Sequence, residues 1–234
     1  MKKTLFFAFF LLFSAFPFSS LVTDAFGADY YQACPETRCI EDPKADFFKA
    51  VKQSDRASVL RLLSKSPKLV LATDEHSMTP FLLAVNRKNR EMANLLAQKS
   101  SRLTARGDKG NAFHIAAANQ DEPMIKLLTK LTRAKDAGLT RKMLNYQRNI
   151  YMPASYSSND GNSPLHIAAQ KCNRRIYNYY VSLGADESVQ NSLKKTPREI
   201  MVNCEKTRRQ IQKQKEAAAA RQKAAARIPK DDGI

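Results

Sequence analysis

The feature that most constrains this chain is a string that comes back. "NSPLHIAAQ", Asn162 to Gln170, has relatives in "NAFHIAAAN" from Asn111, "MTPFLLAVN" from Met78 and "KTPREIMVN" from Lys195, with a weaker one in "DFFKAVKQS" from Asp46. Aligned on Thr79, Asn111, Ser163 and Thr196, successive copies stand 32, 52 and 33 residues apart. A period near 33 belongs to a solenoid, whose units cannot bury an apolar face alone and must stack on their neighbours. The copies also open as helices open. Thr or Ser offers an oxygen to the exposed N–H groups of the first turn, and Pro in that turn loses no hydrogen bond, because its N–H would have had no intrahelical acceptor. Seven glycines in 234 residues, and a wealth of Ala, Leu, Lys, Arg and Gln, agree with a mostly helical chain.

The residues inside the period carry a resemblance. Ser163-Pro164-Leu165-His166 with Ile167-Ala168-Ala169, closed by Leu183-Gly184-Ala185-Asp186, resembles the ankyrin repeat, and the likeness covers most of residues 44–204. Asp160-Gly161-Asn162 and Asp108-Lys109-Gly110-Asn111 look like the hairpin turn that precedes the first helix of such a unit. There are departures. Asn111-Ala112 replaces Thr-Pro in the third unit, Arg198 stands where the fifth should be apolar, and the first, Asp46 to Pro67, shows little beyond a helical pattern. The resemblance implies an all-α fold: an ankyrin-repeat solenoid of about five helix-turn-helix units with short hairpin turns and one mid-array insertion. Small Ala116, Ala117, Ala168 and Ala169 let helices approach, and Leu62/Leu63, Leu95/Leu96 and Leu127/Leu128 fall on second helices facing the first. It also implies recognition of a protein along a concave surface of hairpin tips and first helices. The tips include Asp74, Glu75, His76, Arg106, Asp108, Lys109, Asn159 and Asp160. His114 and His166 receive a structural role, hydrogen bonding between adjacent turns, since no carboxylate is placed by pattern to orient either ring.

The 52-residue gap holds about 19 residues more than the period requires. Leu139 to Arg148 has helical composition, and an aromatic, Pro/Ser-rich stretch follows to Ser158. Insertions in solenoids emerge as loops, frequently on a binding face, and Tyr and Arg are the types most enriched at interface hot spots. Tyr146, Arg148, Tyr151, Met152 and Tyr156 are therefore candidates for partner contact. The alternative is that this loop folds back over the third and fourth units and fills space. Further on, Tyr177 and Tyr180 lie three apart and share a helix face, with Tyr179 pointing elsewhere.

Met1-Lys2-Lys3, an apolar run from Leu5 to Phe18 and Ala25-Phe26-Gly27 have the plan of a signal peptide cut after Gly27; an uncleaved anchor over Thr4 to Val22 is the competing reading. Export predicts a periplasmic or secreted protein of bacterial type, in which Cys34, Cys39, Cys172 and Cys204 form disulfides. Four cysteines allow three pairings. A local Cys34–Cys39 link would leave Cys172 with Cys204, and zinc is disfavoured by the spacing. The boundaries expected are a signal peptide at 1–27, a disulfide-bearing segment at 28–43, the repeat domain at 44–204 with its insertion at about 133–158, and a basic helical tail at 205–234.

A formal charge of +17 predicts attraction to acidic partners. The expected partner is an acidic protein, with an anionic envelope surface as an alternative for the tail. Nucleic acid is disfavoured because the basic residues are not interleaved with stacking aromatics. A monomer is expected. With no G-x-S-x-G, H-E-x-x-H, phosphate loop or dinucleotide fingerprint, the chain reads as a binding module, without metal or cofactor, and not as an enzyme.

Overall fold

The computed structural model describes residues 42–99, 101–148 and 161–225. Among them, four helix pairs follow one plan: α1 (Pro43–Gln53) with α2 (Arg56–Lys65), α3 (Pro80–Asn86) with α4 (Arg90–Gln98), α5 (Ala112–Ala118) with α6 (Glu122–Lys135), and α8 (Pro164–Gln170) with α9 (Arg174–Ser182). A short helix, α7 (Leu139–Leu144), lies between the third and fourth pairs, and α10 (Pro197–Ala225) ends the array. The first helices pack in chain order, α1 on α3, α3 on α5, α5 on α8 and α8 on α10, so the described residues form an all-α, ankyrin-like solenoid.

Each pair is built from the same local choices. The turn from first to second helix uses one residue in the left-handed region, Ser54, Lys88, Gln120 or Cys172, at φ between 51° and 63°. The next residue, Asp55, Asn89, Asp121 or Asn173, caps the second helix with its side-chain oxygen. Its own N–H donates to an alanine carbonyl five residues back, Ala50, Ala84, Ala116 or Ala168, at 2.9–3.1 Å. These alanines are buried, and only a small side chain lets the returning backbone come so near. Seven residues before each left-handed position sits the anchor of the unit: Phe47, Phe81, Phe113 and Leu165 are all fully buried. The leucine pairs fall on α2, α4 and α6 as the pattern requires, with Leu62, Leu63, Leu95, Leu96 and Leu128 buried and Leu127 half-buried against them.

The fifth unit departs from the helix-turn-helix plan. Thr196 and Glu199 open it with a reciprocal capping box, the N–H of Thr196 donating to Glu199 (2.9 Å) and that of Glu199 to Thr196 Oγ1 (3.2 Å). It then runs unbroken for 29 residues. Glu205 and Lys206 occupy the positions where the other units place the left-handed residue and the Asp/Asn cap, and Met201 replaces the alanine. Nothing at these positions stops the helix. Arg198, at the anchor position, is exposed.

The insertion divides into two halves. Leu139, Met143 and Leu144 are buried, and Thr140 Oγ1 lies 2.6 Å from Thr132 Oγ1 on α6. The front half therefore packs as core. Residues 149–160 lie outside the described residues. Asn111 explains the lost Thr-Pro: its side-chain amide donates to the carbonyl of Met143 at 2.8 Å, a bond that Ser or Thr is too short to make. Cys172 and Cys204 form a disulfide with Cα atoms 5.8 Å apart, tying the fourth turn to α10. Cys34 and Cys39 lie outside the described residues.

Candidate functional site

The hairpins that enter each first helix stack along one edge of the array. The Asp74 carboxylate shapes the second unit's hairpin, accepting from the N–H groups of His76 (2.9 Å) and Met78 (2.8 Å). Asn191 repeats the device for Leu193 and Lys195, both at 3.0 Å. Between them Gly107 and Gly110 pair across a tight turn. Gly110 has φ 85°, and a Cβ there would stand 2.7 Å from the His114 ring, so no larger residue fits.

Histidine fastens successive hairpins to one another. The N–H of Ser163 donates to His166 Nδ1 (3.1 Å), leaving Nε2–H to donate to the carbonyl of Lys195 in the next hairpin (3.1 Å). His114 repeats this with the N–H of Asn111 (3.3 Å) and the carbonyl of Asn162 (3.1 Å). Both rings are fully buried. Burial, which penalises the charged imidazolium, pushes His114 down to about 3, with Arg148 and His166 adding repulsion; burial also lowers His166. These are neutral hydrogen-bond bridges, the structural role expected of them.

The sequence candidates assemble into two adjoining groups. Asp74, Glu75, His76, Asp108 and Lys109 line a groove of about 800 Å³ with α1, which contributes Lys44, Phe48, Lys49 and Lys52. The N–H of Asp108 donates to the carbonyl of His76 (3.3 Å), and the His76 ring lies 3.9 Å from the Asp108 carboxylate. In the second group the Arg106 guanidinium lies 3.9 Å from the centre of the Tyr146 ring, which meets His114 edge-on. Arg148 reaches the carbonyl of Asp108 (3.4 Å), and its backbone pairs with Gly161 and Asn162, closing the base of the insertion. Tyr151, Met152, Tyr156, Asn159 and Asp160 lie outside the described residues.

The α1 side of the groove went unnamed from sequence. Its signal was present: Lys44, Phe48 and Lys52 recur every four residues and so share one helix face. Tyr177 and Tyr180 are buried, the latter donating to the carbonyl of Phe113 at 2.9 Å, and Tyr179 is half-buried. The charge on this edge is balanced: Arg106, Lys109, Arg148, Lys194 and Lys195 face Asp74, Glu75, Asp108, Asp186 and Glu187. Among the described residues no group of three or more His, Cys, Asp or Glu is placed to hold a metal ion, and no helix is long and apolar enough to cross a membrane.

Residues 160–192, which hold the Gly161 turn, α8, α9 and the hairpin after them, match the ankyrin-repeat family model. The chain carries an ankyrin repeat. The other three helix pairs share its left-handed turn, its capped second helix and its buried anchor, and His114 shares its bridging histidine. A stretch of 95 residues is 26% identical to an NAD-dependent deacetylase, sir2B, of Dictyostelium discoideum, covering 41% of this chain and 12% of that protein. Ankyrin repeats are non-catalytic modules that bind proteins.

Proposed function

We propose that this chain is an exported ankyrin-repeat module that recognises a protein in the cell envelope, acting as a non-enzymatic adaptor or inhibitor. The groove between α1 and the second and third hairpins carries the reading. It is preformed, held by the Asp74 turn and the His76–Asp108 contact, and it is lined by charges of both signs around the buried Phe48. Such a surface suits an extended segment of mixed charge, while the excess positive charge of the chain draws an acidic partner from a distance. The identity to part of a deacetylase supports no catalytic reading, because it spans so little of that protein. Export rests on the N-terminal sequence, and a secreted effector acting on a host protein is the second reading from the same feature.

Capture from envelope extract with wild type and with the Lys49→Glu/Glu75→Lys variant tests the proposal. Both positions are exposed, so the variant should melt with wild type. A protein retained at high salt by wild type and lost from the variant is expected. Equal retention by the two would remove the groove from the reading, and release of everything by salt would favour binding by charge alone.

A further inference from the structure

Charges of both signs line the hairpin edge. The turns between first and second helices form the opposite edge, and they are fastened into a row. Asn89 Nδ2 donates to Ser54 Oγ (2.6 Å), that of Asn119 to the carbonyl of Asn86 (3.0 Å), and that of Asn173 to Gln120 Oε1 (3.2 Å). Ion pairs cross the same joints: Arg90 with Asp121 (3.8 Å), Arg175 with Glu122 (2.7 Å) and Arg174 with Glu205 (2.7 Å). The acidic side chains of the central turn are thus occupied by neighbouring arginines. Arg87, Lys88, Lys171 and Arg208 remain exposed along the row and have no ion-pair partner among the described residues, and the exposed carboxylate of Asp55 lies at its first turn.

We infer that this turn edge is a binding site for a linear polyanion, a flexible chain of regularly spaced phosphate or sulfate groups. Stacked helices set successive units about 10 Å apart, so the cations recur along a line and not over a patch. One place on the line is concave: a cavity of about 500 Å³ between the fourth turn and α10, lined by Gln120, Lys171, Cys172, Asn173, Arg174 and Arg208. Three of its six residues are cationic and none is acidic. The Cys172–Cys204 disulfide holds the helix that carries Arg208 beside this turn. A flat bilayer fits less well, because the exposed large apolar residues, Leu71, Leu193, Val202 and Ile211, lie off the turns and give them nothing to insert.

Binding of the purified full chain to long-chain inorganic polyphosphate over a salt series tests the site. Each cation that contacts the polymer releases about one counterion, so Arg87→Gln/Lys88→Gln/Lys171→Gln should flatten the log–log salt slope by about 2 to 3 and weaken binding on the order of a hundredfold near 0.1 M salt. Lys109→Gln/Lys194→Gln/Lys195→Gln removes the same charge from the hairpin edge and should change the slope by less than about 1. Gln120 already adopts φ 53°, so Gln fits the left-handed position of Lys88. Should the triple variant melt early, Arg87→Gln/Lys171→Gln leaves that position untouched and should still flatten the slope by about 1 to 2. Equal losses in the two triple variants would reduce the effect to net charge and overturn the inference. So would absence of polymer binding, or turn-dependent binding to phosphatidylserine vesicles with none to the soluble polymer.

Discussion

Replacing both disulfide cysteines, Cys172→Ser/Cys204→Ser, isolates what the link contributes. Serine is the suitable probe because Ser54 already occupies the matching left-handed position of the first turn, at φ 63°. The two cysteines are 32 residues apart. The loop-closure relation for a ring of that size gives about 3.7 kcal/mol of stabilisation at 25 °C through the unfolded state. Spread over a domain of this size, that shifts the melting temperature by at most roughly 7 to 15 °C. A solenoid does not spread it evenly, since each unit contacts only its neighbours. The loss should fall on α9 and the first turns of α10, which the loop encloses, and on α8, which packs against both, and leave α1 to α4 protected. Hydrogen exchange of the oxidised wild type and the double variant, read segment by segment, measures this. Faster exchange confined to 164–204 is the expected result. A uniform loss from α1 onward, or identical exchange in the two proteins, would refute the assignment of the link to the fourth and fifth units.

The buried histidines predict acid sensitivity. His114 is held at about 3 in the folded protein against 6.5 when exposed, so its contribution is complete above pH 6.5, falls as pH drops from there and is exhausted near pH 3. It amounts to up to about 4 to 5 kcal/mol. His166 acts in the same direction; denaturant midpoints measured from pH 7 to 5 should fall, with about one proton taken up by His114 on unfolding near pH 5 and a further fraction by His166. Tyr180→Phe removes the bond to the Phe113 carbonyl and should cost about 1 kcal/mol in a denaturant melt, with little change in the packing of its ring. Asn111→Ser keeps a cap for α5 but strands the Met143 carbonyl, and should cost about 1 to 3 kcal/mol with exchange rising first in α7. Deleting 212–225 should remove helical circular dichroism while leaving the melting temperature within about 1 °C, since that part of α10 packs on nothing among the described residues.

Much of the fold is legible because the period forces it. An apolar anchor, a small residue three positions later and an Asp or Asn after the turn recur in four units, and these carry the burial, the close approach and the cap. What escaped notice was written at single positions. Lys206 for Asp or Asn is the difference between a turn and a continuing helix, yet inside a Lys- and Arg-rich stretch it looks like one more surface charge. The insertion is less legible. Its helical half offers Leu139, Met143 and Leu144 to the core, and it is tied down by an amide from Asn111, 32 residues upstream of Met143, which no local pattern discloses. The hairpin candidates came together because turn chemistry fixed them, whereas the α1 wall of the groove required knowing which face of that helix the second hairpin would leave open.

The absence of a turn at Lys206 gives the array a lever. From Arg209 to Ala225 the helix carries 17 residues at 1.5 Å each, about 26 Å of rod leaving the fourth unit from a covalently pinned base. A flexible tail with the same charges would let whatever it touches wander. A rod fixed at Cys204 instead sets a bearing and a distance, so two things held by this protein, one in the groove and one at the helix tip, would be held in register with each other.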